Sequence, residues 1–113
     1  MIKIEEGKRT PLKYTVVDHL QIPEEAAKLI EEKKEKEFQM AYQKGEDLYL
    51  IKGYGRQMSG GYSIQVTDLS ASVNAVFFET KLIGPTEEVQ GGEPSYPYIV
   101  VKTEYRDVPV QFQ

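Results

Sequence analysis

The chain has 113 residues, 40% of them hydrophobic and 28% charged, with a formal net charge of −4. That length fits one domain with a real core, the composition is too apolar for disorder, and the mild acidity argues against a nucleic-acid binder, which normally presents a basic face. There is no cysteine, so disulfides, thiolate nucleophiles and Cys-type zinc sites are excluded.

Residues 1–12 are polar, end near Pro11, and read as a lead-in to a single domain over 1–113. The first nine residues lack the apolar core of a signal peptide, and no apolar run reaches the roughly 18 residues of a membrane span. The compartment is left open by composition. Tyr14, Thr15, Val16 and Val17 are aromatic and β-branched, the pattern of a first strand.

Pro23 marks a helix start, with Glu24 and Glu25 in the first turn, where negative charge complements the dipole. Ile22, Ala26, Leu29 and Ile30 make one apolar stripe at helical spacing, and Glu24/Lys28 and Glu32/Lys36 lie four apart with the acid first. The stripe fails at Lys33 and Glu37, which ends this amphipathic helix near residue 36. Phe38, Met40 and Tyr42 then alternate with polar or small residues, which is a strand period. The charged helix formers of 31–37 support a competing reading, one long helix over 24–44. Residues 44–47 supply a turn and residues 48–51 a return strand.

Residues 53–64 contain four glycines between two strand-like segments and form a special loop. After it, Tyr62, Ile64 and Val66 alternate with Ser63, Gln65 and Thr67. Residues 68–72 read as a turn, 73–83 as a long strand broken by Gly84 and Pro85, 85–95 as a polar loop with Gly91 and Gly92, 96–105 as a strand, and 108–112 as a last short strand. The expected fold is α+β: one amphipathic helix packed on a mostly antiparallel, twisted β-sheet.

Residues for chemistry are sparse. His19 is the only histidine and stands beside Asp18 as a surface or capping residue. A serine triad would need the Gly-x-Ser-x-Gly elbow, which is missing around Ser59 and Ser63. Glu87/Glu88 and Glu46/Asp47 are short acidic pairs without calcium-loop spacing. Gly55 to Gly60 has the phosphate-loop gap, but Gly61 and Tyr62 stand where Lys and Ser/Thr should follow, and a strand comes next instead of a helix. These readings predict no catalytic residues, no metal, no cofactor and no nucleic-acid partner. Tyrosines are more telling: eight are present, and Tyr54, Tyr62, Tyr96 and Tyr98 flank the two glycine-containing loops. Such rings suit interfaces, and they equally pack across neighbouring strands. Met58 adds a flexible apolar side chain to a polar loop.

Tyr49 to Gly55, followed by Ser59, Gly60, Gly61, Tyr62, Ser63 and Ile64, resembles the protease-complex subunit PrcB family, whose members carry a strand ending in Gly, a Pro-Thr-Gly-Gly-Tyr loop and an alternating strand. Gly84 and Pro85, then Tyr96, Pro97, Tyr98 and Ile99 to Lys102, match the family's continuation. Met58 and Ser59 replace the family's Pro-Thr, so the hydroxyl is kept and the rigid proline is lost. The resemblance covers roughly residues 48–103 and implies a non-catalytic, exported or lipid-anchored bacterial envelope domain that binds a partner protein such as a peptidase. Partner contacts are expected at Met58, Ser59, Gly60, Gly61 and Tyr62, with a second patch at Gly91, Gly92, Tyr96 and Tyr98. A weaker likeness, limited to Gly60, Gly61 and Tyr62, is to the Asn-Pro-Thr-Thr-Gly-Tyr loop of chagasin-type cysteine-peptidase inhibitors. Direct peptidase inhibition and small-molecule or glycan binding in the envelope are the alternatives.

Overall fold

The computed structural model describes residues 8–86 and 92–113. In chain order the elements are β1 (Thr10–Pro11), β2 (Thr15–Val16), a 3-10 turn (His19–Gln21), α1 (Glu24–Lys33), β3 (Glu37–Lys44), β4 (Asp47–Tyr54), β5 (Ser63–Ala71), β6 (Val76–Ile83), β7 (Tyr98–Glu104) and β8 (Val110–Phe112). The fold is α+β and dominated by sheet. The helix ends at Lys33, the strand period resumes at Glu37, and the reading of one long helix is ruled out.

The strands form two sheets where one was expected. One has the order β1-β5-β6-β8 and the other β2-β7-β4-β3, and every pair is antiparallel except β6 with β8. Residues 10–11 are part of the structure rather than a loose lead-in, because Thr10 and Pro11 pair with Ala71 and Ser70. Pro11 has no N–H to donate and accordingly sits on an edge. The chain then crosses to the edge of the second sheet, where Thr15 and Val16 pair with Lys102 and Val101.

The turn expected at 68–72 is displaced. β5 runs on to Ala71 through a register shift between Val66 and Asp68, and the turn forms at residues 72–75, closed by Ser72 N–H donating to the Ala75 carbonyl at 2.9 Å. A bulge absorbs the extra residue. Asp68 is satisfied there, accepting from Ser70 Oγ at 3.2 Å and Arg9 Nη1 at 3.5 Å.

The layering explains why β4 reads as an unbroken apolar run. Leu48 and Leu50 face the other sheet and pack with Leu69, Ala71, Val76, Phe78 and Val101. Tyr49 and Ile51 point the other way and pack with Ala26 and Ile30 of the helix and Val100 of β7. A strand covered on both faces loses its alternation. Each fully buried side chain of this size contributes about 1.5–3 kcal/mol. The buried hydroxyl of Thr103 donates to the Lys13 carbonyl at 2.8 Å, and no buried side-chain polar atom among the described residues lacks a partner.

Candidate functional site

The two glycine-containing connections lie at one end of the sandwich, because both carry the chain from one sheet to the other. Residues 55–62 lead from β4 to β5, and residues 84–97 lead from β6 back to β7. The registers Gly53 with Tyr98 and Ser63 with Ile83 put all four strand ends together.

The first connection is braced along its length. Arg56 N–H donates to the Glu35 carbonyl at 3.2 Å. Gln57 and Ser95 exchange both backbone bonds, at 2.8 and 3.0 Å, as an isolated antiparallel bridge. Gln57 Nε2 reaches back to the Tyr54 carbonyl at 3.0 Å, and Ser95 Oγ donates to the Ser59 carbonyl at 2.6 Å. Tyr54 and Thr80 join the sheets beneath through their hydroxyls. The span is therefore an ordered arch, with its backbone polar groups engaged from two sides.

The glycines divide by role. Gly55 has φ +74°, and a Cβ there would lie 2.9 Å from Glu37 N and 3.0 Å from Lys36 C, so no side chain fits. Gly61 has φ +87° and packs on Pro85, 3.0 Å from where its Cβ would stand. Gly60 has neither constraint: nothing lies within 4 Å of its Cβ position. Its missing side chain leaves bare backbone facing outward.

Met58 projects at the crest and is 79% exposed, in sharp contrast to the buried methionines and leucines of a core. Ser59 is half-buried, its hydroxyl turned to the Gly60 carbonyl at 3.3 Å. Tyr62 is half-buried beside Gly84. Gly92 and Tyr96 are also half-buried, on the second connection. Tyr98 belongs to β7 and packs against the cluster around Ala26 and Ile30, so it is separated from the crest. Gly91 lies outside the described residues.

Some neighbours carried no sequence signal. Lys34, at the end of the helix, holds its ammonium 5.1 Å from the centre of the Tyr96 ring and 2.9 Å from Glu31 Oε2. The hydrogen bond that Lys34 donates to Glu31 raises the pKa of Lys34, with the nearby negative charge of Glu31 adding to it against partial desolvation. Gln57 and Ser95 meet only through the fold, and no local pattern links them. His19, by contrast, is an exposed partner of Asp18 at 3.3 Å. No helix among the described residues is long and apolar enough to cross a membrane, and no group of three or more His, Cys, Asp or Glu among them is placed to hold a metal ion.

Comparison with curated proteins and with solved structures found no match. The sequence model of the PrcB C-terminal family matches residues 48–104, which run from the second residue of β4 to the end of β7 and include both connections at the braced end. That span is half of the chain, and the protein belongs to the PrcB C-terminal family.

Proposed function

We propose that this chain is a single non-catalytic domain of an accessory subunit, exported to the cell envelope or beyond, that binds a peptidase through the arch at residues 56–62. Family membership supports the accessory role, since the family is associated with a protease complex and is not a known catalytic one. The observation that carries the choice of surface is the exposure of Met58 on a loop whose flanks are pinned by Gln57 and Ser95. A pre-organised loop loses little conformational freedom on docking, and a flexible apolar side chain at its crest supplies buried contact area. Met58, Ser59, Gly60, Gly61 and Tyr62 form the contact, with Gly92 and Tyr96 alongside. A loop that presents an exposed apolar side chain favours a macromolecule over a small ligand, for which a concave pocket is the usual site. An open groove of about 640 Å³ does exist, but it lies at the other end of the strands, between Glu46, Asp47, Thr103 and Glu104.

The glycine geometry selects the test. Gly61 is constrained by its φ, so substituting it perturbs the loop itself, whereas Gly60 and Met58 are free of packing constraints. Affinity capture from the source cells with the wild-type chain, Gly60→Asp and Met58→Ala is expected to lose the partner roughly tenfold or more in each variant, the scale of a central interface residue. Equal recovery by all three removes the arch from the account. The projecting Met58 also fits insertion into a cleft, as a direct peptidase inhibitor would require. Titration against cysteine and serine peptidases separates the two roles, because an accessory subunit leaves turnover of the captured peptidase intact.

A further inference from the structure

The chain has three methionines and no cysteine, so methionine carries all of its sulfur. The two methionines among the described residues stand in opposite surroundings. Met40, on β3, is half-buried and packs against the cluster around Ala26, Ile30 and Tyr49. Met58, on the arch, is 79% exposed and belongs to neither core cluster. Reaction of a thioether with a dissolved oxidant follows its exposure, which sets Met58 apart.

The fold also holds that sulfur out. Both chain neighbours of Met58 are tied to one residue, Ser95. Gln57 exchanges two backbone bonds with it at 2.8 and 3.0 Å, and the Ser59 carbonyl accepts from its hydroxyl at 2.6 Å. Next to Ser95, the ring of Tyr96 lies 5.1 Å from the Lys34 ammonium, which fixes the anchor to the end of the helix. Turning residue 58 inward to shelter its thioether would break these bonds. Gly60 gives no shade either, since its Cβ position is open space.

We propose that Met58 is a reversible oxidation site, and that its conversion to the sulfoxide by a peroxide switches off docking at the arch. The switch rests on the reading of the arch as the contact surface; the selective oxidation does not. A sulfur lone pair attacks one peroxide oxygen, and the S–O bond forms as the O–O bond breaks. The proton on the transferred oxygen passes to the departing hydroxide, which leaves as water. Sulfur gives up two electrons and the peroxide takes them. The product replaces an apolar thioether by a polar sulfoxide. An apolar site on the partner that accepts the thioether must then strip water from the sulfoxide oxygen without returning a hydrogen bond, which is costly. A dithiol reductant reverses the step, taking the oxygen off as water and closing to a disulfide. That dithiol belongs to another molecule, because this chain has no cysteine.

Hydrogen peroxide titration with peptide mass spectrometry tests the chemistry, and affinity capture from the source cells tests its effect. Oxygen should be added at Met58 about tenfold faster than at Met40. Peroxide treatment should lower partner recovery by the wild-type chain and by Met40→Leu about tenfold, and a methionine sulfoxide reductase with dithiol should restore it. Met58→Leu keeps Met1 and Met40, so its recovery, whatever its starting level, should not change on treatment. Equal oxidation of Met40 and Met58 overturns the proposal, as does a loss on treatment that Met58→Leu shares. Untreated Gly60→Asp separates the two ways of failing. Recovery lost there but kept by the wild-type sulfoxide overturns the switch alone, and recovery kept by both overturns the arch with it.

Discussion

Gln57 and Ser95 hold each other by both backbone bonds, and Ser95 also donates its hydroxyl to the Ser59 carbonyl. The two sheet-crossing connections are thereby tied into one structure, and the candidate contact residues sit directly on that tie. Replacing Ser95 by Ala removes the hydroxyl bond and leaves the bridge. The expected cost is about 1 kcal/mol in chemical denaturation, with faster amide exchange confined to residues 57–61.

The glycines in and leading into the arch should separate fold from function. At Gly53 a Cβ would lie 2.1 Å from Phe38 Cε1, because the ring of its cross-strand neighbour covers the bare backbone. Gly53→Ala should cost roughly 1–3 kcal/mol through overpacking. Gly55→Ala should cost about as much, through left-handed backbone and contact with the main chain of Lys36 and Glu37. Gly60→Ala should leave the denaturation midpoint within about 0.5 kcal/mol of wild type.

Two adjacent residues of β4 should be equally intolerant. Leu50 and Ile51 are both fully buried, on opposite faces. Leu50→Ala and Ile51→Ala should each lower stability by about 2–5 kcal/mol. In β5, where Gln65 is exposed, Gln65→Ala should be nearly silent. Urea titration of the three variants checks the layering directly.

Alkaline pH should weaken the fold through two phenols. Desolvation, then the hydrogen bond from Tyr42 to Glu25 at 3.2 Å, raises the pKa of Tyr42 above its ordinary 10.0. Desolvation and the neighbouring Asp107 raise that of Tyr105. With the folded pKa above the unfolded one, the native state binds more protons there, and stability falls as pH rises from about 10 through the folded values. The double variant Tyr42→Phe/Tyr105→Phe should show a flatter decline over that range in pH-dependent thermal melts.

The hairpin of β3 and β4 was legible in the sequence, since Phe38, Met40 and Tyr42 alternate and a charged, glycine-containing turn follows. The division into two sheets was not. Leu48 to Ile51 are apolar throughout, which states that a strand is covered twice without stating by what. The extension of β5 was hidden because Asp68, Ser70 and Ser72 are turn formers. In the fold Asp68 and Ser70 hydrogen-bond each other along a bulged strand. For the candidate site, glycine density located the arch, but the residues that brace it come from distant positions. Tyr98 was grouped with that site by sequence proximity, whereas the strand period directs it to the helix side.

Site-specific photo-crosslinking in the source cells tests the role of the arch most directly. A photoreactive side chain is placed at Met58 in one chain and at Val73 in another, both highly exposed (79% and 96%) and on different connections. Position 58 should give a discrete adduct with a peptidase, abolished by Gly60→Asp, while position 73 gives none. The same adducts from both positions, or none from position 58, would contradict the account.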